Sequence, residues 1–235
     1  MAWLFYPSNR DEDLPDWTVL DTPADELRST DSRIKAASRL IRDRQSKLHY
    51  LDSYYAFPSH TPGPIAGFRY PDLGGPIRLQ VSRRNKIEIP DIALFDASMI
   101  ITKRVRDAIE SIEPDVHNYL PVEVIMPDGS LAASRWLLNI CTRIDTIAVD
   151  KSEDVREIFP PMMARKFPGW SRYNSDLQPG RTKIAVYRDR IAGRAIWFEY
   201  KLGWAMCSDK LHDWIVDNNV RAIEWDYQVN PVVEV

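Results

Sequence analysis

Cysteine is scarce in this chain. Among 235 residues there are two, Cys141 and Cys207. Two cannot build a disulfide framework, and no C-x-x-C is present, which excludes a zinc ribbon and a thioredoxin-type motif. They read as two reduced, packed thiols in a cytoplasmic protein. Long apolar runs are also missing. None approaches the ~18–20 residues that cross a bilayer, so an integral membrane protein is not expected. The opening residues, MAWLFYPSNRDED, lack a basic n-region and their apolar stretch stops at Pro7, so no secretory signal is read there. The four histidines, His49, His60, His117 and His212, are isolated, and no two share the i, i+3 or i, i+4 spacing of metal ligands on one helix face. There is no G-x-G-x-x-G, no G-x-S-x-G and no acidic metal loop. Neither a cofactor nor a metal is expected. The 31 basic residues against 34 acidic ones leave a net charge of −3. A mildly acidic chain is a poor general binder of nucleic acid, whose affinity comes from neutralising phosphates.

What is present reads as a folded protein. Hydrophobic residues make up 44% of the chain, and 8 Trp, 10 Tyr and 7 Phe supply apolar area that disordered chains lack. The length suits one large domain or two small ones. Charge is unevenly spread. Residues 1–27 hold Asp11, Glu12, Asp13, Asp16, Asp21, Asp25 and Glu26 against Arg10, a local −6. Residues 28–47 hold seven basic residues against Asp31 and Asp43, a local +5. In 31–48, Ile34, Ala37, Ile41 and Leu48 form one apolar stripe, which predicts a basic amphipathic N-terminal helix. It reads as a contact for polyanions or as a solvated face answering the acidic segment before it. Residues 58–76 contain five prolines and four glycines and predict a junction. The expected division is therefore 1–76 and 77–235, with one continuous core across both left open.

Beyond the junction, strand patterns dominate. Ile77, Leu79 and Val81 alternate with Arg78 and Gln80, a half-buried strand. Ile87 and Ile89 alternate around Glu88. Residues 121–126 form an apolar run closed by Pro127-Asp128-Gly129, with 134–140 as the returning strand. Residues 183–187, 195–200 and 203–206 read as three successive short strands. Residues 151–181 look irregular, with a short helix near 152–158. Two segments also repeat each other: IITKRVRDAI at 100–109 and MCSDKLHDWI at 206–215. Thr102 falls on Ser208, Val105 on Leu211, Asp107 on Asp213 and Ile109 on Ile215. A hydroxyl at a helix start is an N-cap, and an apolar stretch follows each helix, at 121–124 and 222–225. The fold class that follows is α+β: a mostly antiparallel sheet with a few packed helices, a repeated strand, capped helix, strand unit, and the basic N-terminal helix.

Catalytic readings are thin. His49 and Asp52 form an H-x-x-D pair that could join a base to its orienting carboxylate, and His117 could serve Cys141. Cys141 lies in an apolar run, where a packed thiol is the simpler reading. Asp107 and Asp213 repeat because their helices do. Trp170 and Tyr173, in a polar stretch, read equally as binding anchors or as plugs at the core edge. The absence of a catalytic constellation favours a binding protein over a hydrolase or nuclease.

One block carries a resemblance. The run TKRVRDAIESIEPDVHNYLPVEVIMPDGS, followed by Leu138-Asn139 and Arg143-Ile144-Asp145-Thr146-Ile147, resembles immunity protein family eleven of bacterial polymorphic toxin systems. Its pattern of capped helix, V-H-x-Y-x-P-V-E-V, polar turn and L-N is matched by 116–124, Asp128-Gly129 and Leu138-Asn139. The second helix start at Ser208 to Leu211 and Ile223-Glu224-Trp225 match more loosely. The resemblance implies an antidote without catalysis that binds a secreted toxin, delivered for example by type VI secretion in competition between bacteria. The toxin is the partner expected, one-to-one, with neither nucleic acid nor membrane as a target. A cytoplasmic location implies a toxin that acts there, and a nuclease fits, because its basic site attracts acidic surfaces. The candidate contact residues are the acidic clusters Asp11, Glu12, Asp13 and Asp150, Glu153, Asp154, Glu157, with Trp170 and Tyr173.

Overall fold

A computed structural model describes residues 1–5, 17–19, 69, 75–81, 89–95, 98–153, 155–158, 172–175, 184–199, 201–221 and 233–235, with backbone only at 17–19, 94–95, 98, 158, 172–175 and 233–234. The acidic residues 11–13, residues 31–48, His49, Asp52, Asp154, Trp170 and residues 222–225 lie outside the described set, as does most of the 58–76 junction.

In chain order the described strands are β1 (Ala2–Leu4), β2 (Trp17–Val19), β3 (Ile77–Val81), β4 (Ile92–Phe95), β5 (Ser98–Ile101), β6 (Asn118–Ile125), β7 (Leu131–Asn139), β8 (Arg143–Ile144), β9 (Val155–Ile158), β10 (Arg172–Ser175), β11 (Ala185–Val186), β12 (Ile196–Glu199), β13 (Trp204–Ser208) and β14 (Val233–Glu234). Helix α1 (Lys103–Ile112) follows β5, α2 (Arg188–Ile191) precedes β12, and α3 (Asp209–Asp217) follows β13. A six-stranded sheet has the order β2-β3-β6-β7-β5-β4, and a four-stranded sheet has the order β1-β13-β12-β8. Pairing is mostly antiparallel, with parallel pairs at β3–β6, β8–β12 and β11–β14. The class is α+β.

Local sequence explains the best-formed parts. In β3 the side chains of Ile77, Leu79 and Val81 are buried while Arg78 and Gln80 are half-buried, as period-two alternation requires. The β6–β7 hairpin closes on Pro127-Asp128-Gly129, where Asp128 accepts from the Ser130 N–H at 2.9 Å and Gly129 takes φ +87°. Helix α1 buries Val105, Ala108 and Ile109, and α3 buries Leu211 and Ile215. The two helices pack on each other, and their stripes share one core with Ile101, Leu138 and Ile140 of the larger sheet region and Ile196, Phe198 and Cys207 of the smaller sheet. Each Val, Leu, Ile or Phe among them contributes about 1.5–3 kcal/mol when fully buried. The opposite face of the smaller sheet packs Trp197 and Met206 on Ile184, Val186 and Ile191.

Three expectations need correction. Residues 155–158 are a strand, not a helix: Val155 is buried while Arg156 and Glu157 face solvent, and β10 pairs with them antiparallel. The stretch read as irregular thus contains a two-stranded ribbon. The three strands expected between 183 and 206 are present as β11, β12 and β13, with α2 lying between the first two. Thr102 sits at the N-cap position of α1 but makes no capping bond; its hydroxyl donates to Asp91 at 3.3 Å instead. Ser208 does cap α3, accepting from the Leu211 N–H at 3.4 Å. Ile89 precedes β4 without joining it. A strand leads directly into each of the two helices; the strand expected after α3, at 222–225, is outside the described residues, so the full repeated unit is not seen.

Candidate interaction surface

Residues 155–158 of the acidic segment pair with the backbone of residues 172–175 in the ribbon. In the β9–β10 register Glu157 lies opposite Tyr173, and Arg156 opposite Asn174. A two-stranded ribbon is marginal alone, and this one is anchored by Val155, buried in the core of the smaller sheet. Upstream, a 3-10 turn at Val149–Lys151 presents Asp150, and Glu153 follows, both exposed. Ser152 pins this turn: its hydroxyl donates to the Ala148 carbonyl at 2.8 Å and accepts from the Ala185 N–H at 2.9 Å. Glu157 is partly neutralised. Lys201 Nζ bridges it to Asp145, at 3.2 Å and 2.9 Å.

Beneath this chain of charges sits Glu199, fully buried at the end of β12. One carboxylate oxygen accepts from the Thr146 N–H and, at 2.7 Å, from its hydroxyl; the other accepts from the Lys201 N–H at 3.2 Å. Burial pushes its pKa up to about 7; the three donors pull it down, and Asp145 adds repulsion. Glu199 stands in the apolar run Ala-Ile-Trp-Phe-Glu-Tyr, and a lone acid in such a run was the available signal for it.

A second buried acid joins the two sheets. Glu113, at the C-terminus of α1, accepts from His117 Nε2 at 3.2 Å, Arg194 at 2.8 Å, the Ala195 N–H at 2.8 Å and the Thr142 hydroxyl at 3.4 Å. Burial alone would raise its carboxyl, but these donors bring it down to about 2. Its sequence signal was an acid at a helix C-terminus, where the dipole disfavours negative charge unless donors are supplied. His117 is buried, and both ring nitrogens are engaged: Nδ1 accepts from the Cys141 N–H at 3.3 Å, which places the ring proton on Nε2, facing Glu113. The Cys141 thiol, just past β7, is pushed up to about 11 by burial, and Cys207 is fully buried. His117 therefore ties α1, β6 and the β7 end together rather than activating a thiol. Asp107 and Asp213 are both exposed, Asp107 paired with Lys103 at 2.6 Å and Asp213 with His212 at 2.9 Å.

Of the sequence-stated candidates, Asp150, Glu153 and Glu157 lie along one turn and ribbon, with the Tyr173 backbone beside Glu157. Among the described residues, no group of three or more His, Cys, Asp or Glu side chains could hold a metal, and no helix is long and apolar enough to cross a membrane. No curated protein matches the chain. Its sequence matches the immunity protein family (Imm11) over residues 24–230, most of its length. The matched span takes in α1, His117, the β6–β7 hairpin, the acidic ribbon and α3, and the chain belongs to that immunity protein family.

Proposed function

We propose that this chain is an antidote that binds a toxin one-to-one in the cytoplasm and blocks it without catalysis of its own. The family match over residues 24–230 is the observation that carries this reading. The toxin is a nuclease, whose basic substrate surface complements an acidic patch, and such charge complementarity speeds capture. The contact patch is the pinned turn and ribbon with Asp150, Glu153 and Glu157, extended by Asp154, Trp170 and Tyr173; Asp11, Glu12 and Asp13 form a second acidic contribution. Neither nucleic acid nor membrane is a target of the antidote. His117 is structural in this reading, since both its ring nitrogens are held within the fold.

Co-expression with the product of the adjacent toxin gene tests the proposal, with survival and co-purification as readouts. Rescue together with a stoichiometric complex is expected. The double charge reversal Asp150→Lys, Glu153→Lys is expected to slow association at least ~10-fold at low salt, with the difference shrinking as salt is added. A folded chain that neither rescues nor binds a demonstrably toxic neighbour overturns the reading.

A further inference from the structure

Among the described residues, the half of β7 at residues 131–135 forms an open edge. On one side β6 pairs with it along its length, with a register shift between Val124 and Ile125. On the other side β5 pairs only with Trp136, Leu137 and Leu138, because the chain turns into α1 after Thr102. Among the described residues, no strand continues that line. Leu131 is 58% exposed, and Ala132 and Ser134 are exposed as well.

The direction of the backbone groups follows from the ladder. The Thr102 N–H donates to the Asp91 carbonyl, toward β4, so Ile101 one residue earlier directs its groups toward β7, at Trp136. Alternation then turns the Ser134 N–H and C=O to the same side, where β5 has ended. That carbonyl is met by a side chain from its own strand: Arg135 Nη1 donates to it at 3.1 Å. Arg135 is half-buried on the face shared with Val122 and Leu137. Its Nε is enclosed without an acceptor, and no carboxylate among the described residues pairs with it. Burial lowers its pKa, opposed by the charge of Asp91, but Asp91 is itself held by Arg104 and the Arg221 N–H. A partly desolvated cation without an anion is costly, and an unpaired strand edge is a template for another strand.

We propose that residues 131–135 of β7 receive an extended acidic segment of the cognate toxin as an added strand, whose carboxylate pairs with Arg135. This rests on the immunity reading above. The incoming N–H would take the Ser134 carbonyl and release Arg135 for the carboxylate. A residue of the added strand opposite Ala133 lies on the face of Arg135, and the diagonal of ~7–8 Å is within reach of Arg and Glu side chains.

The test is amide hydrogen exchange on the full chain, alone and with the product of the adjacent toxin gene. Exchange at Ser134 is expected to slow by at least ~100-fold in the complex, the protection of a paired strand. Ser134→Pro removes only the N–H on the open side, a position where an edge strand tolerates proline. It and Arg135→Glu are each expected to weaken binding ~10–100-fold, as losses at a buried interfacial contact do. A complex that rescues cells while exchange at 131–135 is unchanged, and that both variants form as tightly as the parent, overturns the docking edge and leaves the immunity reading standing. A dimer of the chain alone that Ser134→Pro dissolves assigns the edge to a second copy and overturns the proposal. The absence of any complex or rescue overturns both.

Discussion

Glu113→Gln removes the charge that four donors converge on while keeping the side chain's shape. The carboxyl is 4% exposed and is brought from its usual 4.5 to about 2. At roughly 1.4 kcal/mol per tenfold change in proton affinity, that shift is worth about 3 kcal/mol. The folded-state pKa is depressed, so this stability is fully present above pH ~4.5 and is lost as pH falls toward ~2. Glutamine mimics the protonated acid. The difference between parent and variant is therefore expected to be about 3 kcal/mol at neutral pH and to shrink toward zero near pH 2. For a chain of this size each kcal/mol moves Tm by ~2–4 °C, so the variant should melt ~6–12 °C lower at pH 7. Urea unfolding of both proteins from pH 7 down to the acid limit of the folded state measures the difference directly. A difference under ~1 kcal/mol at pH 7, or one that does not narrow on acidification, would refute the assignment of Glu113 as an ionised hub.

Two further outcomes follow from the same structure. Glu199 carries the opposite sign: its folded-state pKa is raised to about 7, so its contribution is present below pH ~4.5 and lost as pH rises through 7. Glu199→Gln should flatten the parent's loss of unfolding free energy between pH 5 and 8, on the order of 3 kcal/mol, and unchanged slopes would count against a buried, proton-linked carboxyl. Ser208→Ala removes the cap on the Leu211 N–H and should cost about 1 kcal/mol in urea unfolding, whereas Thr102→Ala loses no capping bond and acts only through Asp91.

Local pattern was legible where a single element decides its own state. The alternation at 77–81, the Pro-Asp-Gly turn and the apolar stripes at Val105, Ile109 and Leu211, Ile215 fix strand, hairpin and helix faces from neighbours a few residues apart. The family block at 102–145 belongs to the same local grammar. Residues 152–158 misled because a four-residue apolar-polar run fits a helix or a strand, and what made it a strand was pairing with β10, beyond the local window. The N-cap at Thr102 failed for a related reason: Asp91, eleven residues away, offers its hydroxyl a carboxylate partner.

The sequence by itself determined the class of structure, the hairpin and the two amphipathic helices, because these follow from short-range spacing and composition, and its resemblance to known sequences pointed to the immunity family. The tertiary structure alone decided that Glu157 stands opposite Tyr173, that Lys201 links it to Asp145, that Glu113 and Glu199 are buried, and that β7 outruns β5. Each of these joins residues separated by loops or whole elements, and the environment of a charged side chain, which sets its energy and its use, exists only once those elements have packed.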